Sequence, residues 1–117
     1  MRILYADDLP QLRELLHLML TKEGHTVECV ADGQQALEKI TVSPAAFDLV
    51  ITDHHMPRMN GLDLVTHLRA QPFPGKIIVF SSELSPAVSF AYRQLKVDYV
   101  LPKPIFPVTL RAVLATL

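Results

Sequence analysis

The order of apolar and amphipathic segments along the 117-residue chain predicts an α/β fold, with five parallel strands in one sheet and helices on both of its faces. Two observations carry that expectation. Strand-like and helix-like segments alternate along the whole length with short connections, and parallel strands joined in this way cross over right-handedly. Polar residues then fall at the ends of the apolar runs: Asp7 and Asp8 after ILYA, Asp53 after LVIT, and Lys103 after YVL and Pro102. The carboxyl ends of the strands in such a sheet line the ligand crevice, so groups distant in sequence can meet there.

Each element has its own signal. Ile3 to Ala6 is a continuous apolar run, as suits a central strand buried on both faces. Pro10 suits a first helical turn, and Leu12, Leu15, Leu16 and Met19 then form an apolar stripe on a helix ending near Gly24. Thr26 to Val30 reads as the second strand. Asp32 and Gly33 open a helix containing Ala36, Leu37 and Ile40, which Ser43 and Pro44 close. Phe47 to Thr52 is the third strand, followed by a loop to Gly61 and a helix carrying Leu62, Leu64, Val65 and Leu68 that Pro72 and Pro74 stop. Lys76 to Phe80 is the fourth strand. Ser85 and Pro86 have the form of an N-cap with proline at the first helical position, and that helix runs from Ala87 to about Leu95. Tyr99 to Leu101 is the fifth strand. The last helix, from about Pro107 to the terminus, places Leu110, Val113, Leu114 and Leu117 on one face.

Composition limits what this arrangement can serve. The length predicts a single domain over residues 1–117, without an output domain of its own. Half of the residues, 50%, are hydrophobic and 20% are charged, which excludes the disordered class. A net charge of −1 gives no electrostatic reason to expect nucleic-acid binding. The single Cys29 precludes an internal disulfide and reads as a small buried strand residue. No apolar run approaches the roughly 20 residues that span a bilayer. The early start of the first strand leads to the expectation of no signal peptide and a cytoplasmic location.

Asp53 ends the central apolar strand and enters a Pro- and Gly-containing loop, where a carboxylate can serve as metal ligand, nucleophile or both. Asp7 and Asp8 supply oxygens across the neighbouring strand end, a donor set suited to Mg²⁺ with waters and a phosphate. A cation would make three adjacent carboxylates tolerable and neutralise an incoming phosphoryl group. Lys103 can hold a phosphoryl oxygen, and Ser81, at the end of the fourth strand, can hydrogen-bond another. Phosphoryl transfer depends mainly on such positioning and charge neutralisation.

These residues resemble the response-regulator receiver domain of two-component signalling over the whole chain. The motifs are the pair Asp7-Asp8, the segment DHHMPRMNG from Asp53 to Gly61, ADGQQAL from Ala31 to Leu37, the pair Ser81-Ser82, and Lys103-Pro104. The resemblance implies a flavodoxin-like (βα)5 fold with strand order 2-1-3-4-5. It also implies that Asp53 accepts a phosphoryl group from a sensor histidine kinase or phosphotransfer protein. Asp8 and Asp53 would ligate Mg²⁺ or Mn²⁺ directly, Asp7 through water and His55 through its backbone carbonyl. Ser81 stands at the switch hydroxyl, Lys103 at the family lysine, and a cis Lys103-Pro104 bond is implied. The output would be a shift of the face made by the fourth helix, fifth strand and last helix, read by a downstream partner, a fused output domain or a second copy.

Several positions depart from the family pattern. Val100 replaces the aromatic residue that usually precedes the lysine by three positions, and a shifted register could bring Tyr99 into that role. Lys96 replaces a common glycine, which predicts a positive φ at a cost of about 1 kcal/mol in a loose or reshaped loop. Ile105 stands where phenylalanine usually follows Lys-Pro, and Phe106 is expected to pack on its own domain. His55 and Glu83, with Ser82 between the switch serine and Glu83, lie where the family tunes dephosphorylation. Adjacent His54 and His55 should point apart on an extended chain with no third His or Cys nearby, so no zinc site is expected.

Other functional classes fit less well. A receiver-like module that binds partners without phosphorylation does not explain the intact Asp7, Asp8, Asp53, Ser81 and Lys103. A metal-dependent phosphoesterase with Asp53 as nucleophile would need a general acid two residues later, where His55 stands. Asp53-His54-His55 matches the three-letter signature of DHH phosphoesterases, but their further motifs are missing. Flavin binding is disfavoured by Asp-Asp in the loop where a phosphate cradle would need Gly, Ser or Thr.

Overall fold

In the computed structural model, which describes residues 1–71, 73–83 and 85–117, five strands and five α-helices alternate as predicted. The elements are β1 (Arg2–Ala6), α1 (Pro10–Lys22), β2 (Thr26–Val30), α2 (Gly33–Val42), β3 (Leu49–Asp53), α3 (Gly61–Ala70), β4 (Lys76–Ser81), α4 (Pro86–Gln94), β5 (Tyr99–Pro102) and α5 (Pro107–Leu114). A 3-10 turn over Pro44–Ala46 follows α2. The sheet order is β2-β1-β3-β4-β5, and every pairing is parallel.

Alternation along the strands divides the core into two layers. Ile3, Tyr5, Ile51, Ile78 and Phe80 point to one side, where Leu16 and Leu20 of α1 and Leu110 and Leu114 of α5 cover them. Leu4, Ala6, Val50, Ile77 and Val79 point to the other, against Ile40 of α2, Leu64 and Leu68 of α3 and Tyr92 of α4. All five residues of β3 are buried, as expected of the central strand of a doubly covered sheet.

Helix ends follow local chemistry. The side chains of Asp32, Asn60 and Ser85 accept hydrogen bonds from the backbone N–H groups of Gln35, Asp63 and Val88, capping α2, α3 and α4. At the end of α1, His25 N–H donates to the Leu20 carbonyl and Gly24 N–H to that of Thr21, with Gly24 at φ 91°. This is a Schellman motif, which needs a residue that tolerates the left-handed region.

The structure corrects some sequence-based details. The third strand begins at Leu49, not Phe47, and β1, β3, β4 and β5 each extend one residue beyond the apolar run at one end. Leu15 is exposed, so the buried stripe of α1 is carried by Leu16 and Leu20 with Leu12 and Met19 at its margins. The last helix ends at Leu114, short of the terminus. Cys29 is half-buried. Phe106 is 61% exposed, and it is Ile105 that packs against the core. Of the two prolines expected to stop α3, Pro72 lies outside the described residues, and the helix ends at Ala70 ahead of Pro74.

Lys96 adopts φ 56°, as its position in place of glycine predicted. The loop is tied down rather than loose: the Arg69 guanidinium donates from Nε to the Leu95 carbonyl at 2.7 Å and from Nη2 to that of Lys96 at 2.8 Å. Because those acceptors are backbone atoms, Lys96→Gly should keep the clamp and relieve the backbone. Chemical denaturation should show a gain of up to about 1 kcal/mol.

Candidate functional site

The strand order brings the polar ends of β1, β3, β4 and β5 to one rim. Asp7 follows β1, Asp53 ends the adjacent β3, and Ser81 ends β4. Lys103 follows β5, and its backbone N–H donates to the Ser81 carbonyl at 3.0 Å. The Lys103-Pro104 peptide bond is cis.

Carboxylate oxygens of Asp7, Asp8 and Asp53 lie within 4.8 Å of one another. Asp7 is fully buried and Asp53 nearly so, while Asp8 is exposed. Lys103 Nζ stands 3.0 Å from Asp53 Oδ1 and 3.9 Å from Asp7 Oδ2. The acceptors of Asp7 are already engaged: Leu9 N–H donates to Oδ1 at 2.9 Å, and the Tyr5 hydroxyl donates to Oδ2 at 2.5 Å. Asp53 Oδ1 also accepts from the His54 N–H at 2.9 Å.

Burial raises the Asp53 carboxyl above the ordinary carboxylate range; Lys103 opposes the shift and Asp7 adds to it. Burial, with the hydrogen bond to Asp7, likewise drives the Tyr5 phenol far up, so it stays a hydrogen-bond donor. Such a crowded set of carboxylates has the hard-oxygen chemistry that suits Mg²⁺. Asp8 and Asp53 have the freer oxygens, whereas Asp7 is held by Tyr5 and Leu9, which fits contact through water.

Of the other candidate residues, Ser81 and Ser82 lie at the rim, whereas Tyr99 and Val100 lie earlier in β5. The Ser81 hydroxyl donates to the Glu83 carbonyl at 2.7 Å and accepts from the Glu83 N–H at 3.0 Å, so in this state it serves the β4–α4 loop. Ser82 is exposed. Val100 pairs with Val79 and packs, half-buried, on the α2-α3-α4 side. Tyr99 lies on the opposite side, with its hydroxyl 2.7 Å from Thr116 Oγ1 at the end of the chain's last turn. The register therefore has no slip, and Tyr99 does not take the place of the missing aromatic residue.

His54 and His55 do not point apart as expected on an extended chain. Their rings meet edge to face with centroids 4.7 Å apart, because the chain leaves β3 and turns at once. The Glu83 carboxylate reaches both, with Oε2 3.3 Å from His55 Nε2 and 3.8 Å from His54 Nε2. Burial and neighbouring His55 lower the His54 pKa, which favours the neutral ring.

Three residues at or near this rim escaped the sequence reading. Tyr92 is fully buried, with its hydroxyl 2.5 Å from His54 Nδ1. It fills the space beneath α4, and a β-carbon on Gly61 would meet the Tyr92 oxygen at 2.8 Å and the Asp53 carbonyl at 2.5 Å. Arg58, at φ 64°, donates from Nε at 2.9 Å and Nη2 at 2.6 Å to buried Asp32 Oδ2, fixing the β3–α3 loop to the start of α2. Burial pushes the Asp32 carboxyl up, but the Gln35 N–H and Arg58 outweigh it and hold it below the ordinary range. Tyr5 is the third, and its only sequence signal was membership of the first apolar run.

Comparison with known proteins identifies the family and the fold. A family model described as the response regulator receiver domain matches residues 3–115. The sensory/regulatory protein RpfC of Xanthomonas campestris pv. campestris is 36% identical over 121 residues, covering 100% of this chain and 16% of that protein. Response regulator MprA of Mycobacterium ulcerans is 36% identical over 103 residues, covering 88% of this chain and 44% of that protein. The chain thus spans less than half the length of these relatives. Among solved structures, chemotaxis protein CheY4 of Vibrio cholerae superposes with a TM-score of 0.88 at 32% identity, over 98% of this chain and 96% of that one. A response regulator receiver protein from Pseudomonas putida gives 0.91 at 26% identity, over 99% and 96%. The fold, the five-strand order and these matches together establish that the chain belongs to the response regulator receiver domain family of two-component signalling.

Proposed function

We propose that Asp53 accepts a phosphoryl group from a phosphohistidine on a sensor kinase or phosphotransfer protein, in a reaction that needs Mg²⁺ or Mn²⁺. The observation that carries this reading is the buried Asp53 carboxylate with Lys103 Nζ at 3.0 Å and two further carboxylates within 4.8 Å. Asp53 would attack phosphorus through one oxygen while the phosphorus–nitrogen bond of the donor breaks and the imidazole leaves. Its raised pKa disfavours the reactive carboxylate, and Lys103 and a bound cation both restore it. Bound through Asp8, Asp53 and the His55 carbonyl, with Asp7 acting through water, the cation would supply charge neutralisation at the phosphoryl oxygens.

The added phosphoryl carries about 1.5 to 2 negative charges and three strong acceptors. Lys103 is already adjacent, and Ser81 would have to exchange its Glu83 backbone partners for a phosphoryl oxygen. That exchange releases the β4–α4 loop and is the source of the change at the face of α4, β5 and α5, where Phe90 is exposed. A second surface suits the donor. An apolar groove beside Lys103, lined by Leu9, Leu12, Leu15, Pro104 and Ile105, lies next to the acceptor and would seat the donor protein.

Intact mass after incubation with Mg²⁺ and a small-molecule phosphodonor should show one phosphoryl adduct, lost in Asp53→Asn and in chelator. A stoichiometric adduct on Asp53→Asn would overturn the assignment. Stability should report the strained carboxylate as well. The folded state raises the pKa of Asp53, so it binds the proton more readily than the unfolded chain does; in chelator, stability should fall as pH rises above the ordinary carboxylate range. Asp53→Asn should flatten that fall in urea titrations, and Mg²⁺ at one hundred times its Kd should add about 2.7 kcal/mol to the parent. His55→Asn should change the lifetime of the phosphoryl-aspartate while leaving its formation intact, as followed by the decay of the mass adduct.

A further inference from the structure

We propose that His54, His55 and Glu83 form a second divalent-cation site, suited to a borderline metal such as Zn²⁺ and separate from the acidic cluster. One ligand atom from each residue lies within 4.8 Å of the others. Tetrahedral Zn²⁺ has bonds of about 2.0 to 2.2 Å to nitrogen and oxygen, which sets its donors about 3.3 Å apart. The Glu83 Oε2 to His55 Nε2 distance is 3.3 Å, and the 3.8 Å to His54 Nε2 closes with a small rotation of either side chain.

The supporting contacts distinguish this group from a chance surface pair. Two of the three ligands, His54 and Glu83, have their other side-chain polar atom engaged. The Tyr92 hydroxyl lies at His54 Nδ1, and with the proton on Nδ1 the Nε2 lone pair is left for a metal, the arrangement that orients metal-binding histidines. Glu83 Oε1 accepts from the Ser85 hydroxyl at 3.3 Å, and the Glu83 backbone is gripped by Ser81 at both its N–H and its carbonyl, leaving Oε2 toward the two rings. His54 is buried, while the side chains of His55 and Glu83 are 61% and 41% exposed. An ion can therefore enter from solvent and keep an open fourth position for water. Two imidazoles and one carboxylate prefer Zn²⁺, whereas the neighbouring all-carboxylate set prefers Mg²⁺, so ligand softness separates the two sites. Occupancy would link the loop after β3 to the loop after β4, on either side of the acceptor Asp53.

Isothermal titration with Zn²⁺ at neutral pH, in excess Mg²⁺, tests the assignment. The expected result is one ion per chain bound at this site, retained in Asp8→Asn and weakened at least about tenfold by either His55→Asn or Glu83→Gln. These two ligands are partly exposed, so their variants should fold, which circular dichroism verifies; His54 is avoided because its ring packs on Tyr92. In parallel, Zn²⁺ should shift the ring NMR signals of His54 and His55 together. Affinity unchanged in both variants, or binding abolished by Mg²⁺ or by Asp8→Asn, would overturn the proposal, the latter by locating the ion in the acidic cluster.

Discussion

Lys103 is the residue on which the site depends. Two carboxylates with almost no solvent access, Asp7 and Asp53, lie side by side at the ends of paired strands, and burial together with the neighbouring Asp7 disfavours the charged form of Asp53. The Lys103 ammonium, 3.0 Å from Asp53 and 3.9 Å from Asp7, offsets part of that cost, and the Tyr5 hydroxyl and Leu9 N–H donate to the oxygens of Asp7. Lys103 reaches this point only because β5 runs beside β4, with Ser81 opposite Pro102 and the lysine N–H on the Ser81 carbonyl. Strand pairing thereby determines the electrostatics of the pocket. Removing the lysine charge would leave two buried carboxylates against each other, the configuration most in need of a cation.

Packing on the α4 side also bears on the site. Tyr92 projects from α4 into the interior and ends on His54, the residue next to Asp53. Val100 belongs to the same core cluster, and a β-carbon on Gly61 would collide with both the Tyr92 oxygen and the Asp53 carbonyl. An aromatic side chain from a helix thus lies buried on the side of the sheet where a strand aromatic was expected. The Asp32–Arg58 pair has a comparable role at the other end of the β3–α3 loop, holding it to α2 through a buried carboxylate and a guanidinium fork.

The fold was readable because its signals are local and repeated. Continuous apolar runs mark strands covered on both faces, and Pro10, Asp32, Ser85 and Gly24 mark helix ends by chemistry that operates over a few residues. The misjudged positions were those decided by neighbours. Leu15 has helical spacing but stays 56% exposed, and Phe106 precedes a helix whose packing face is supplied by Leu110 and Leu114 instead. The convergence of Asp7, Asp8, Asp53, Ser81 and Lys103 on one rim was legible for the same reason as the fold, since strand ends in a parallel sheet share an edge.

By itself, the sequence determined the α/β class, the element order, the face of most apolar residues and the identity of the polar groups at the strand ends. All of these follow from periodicity and capping within about ten residues. Which side chains touch is set by the folded chain. Glu83 joins His54 and His55 across a gap of nearly thirty positions, Tyr92 reaches His54 from a different helix, and Tyr99 turns to Thr116 and away from the α4 side. No local pattern encodes these contacts. They arise where separate loops and helices are brought together by the packing of the sheet, and a side chain's partner there is chosen by distances that exist only once the chain has folded.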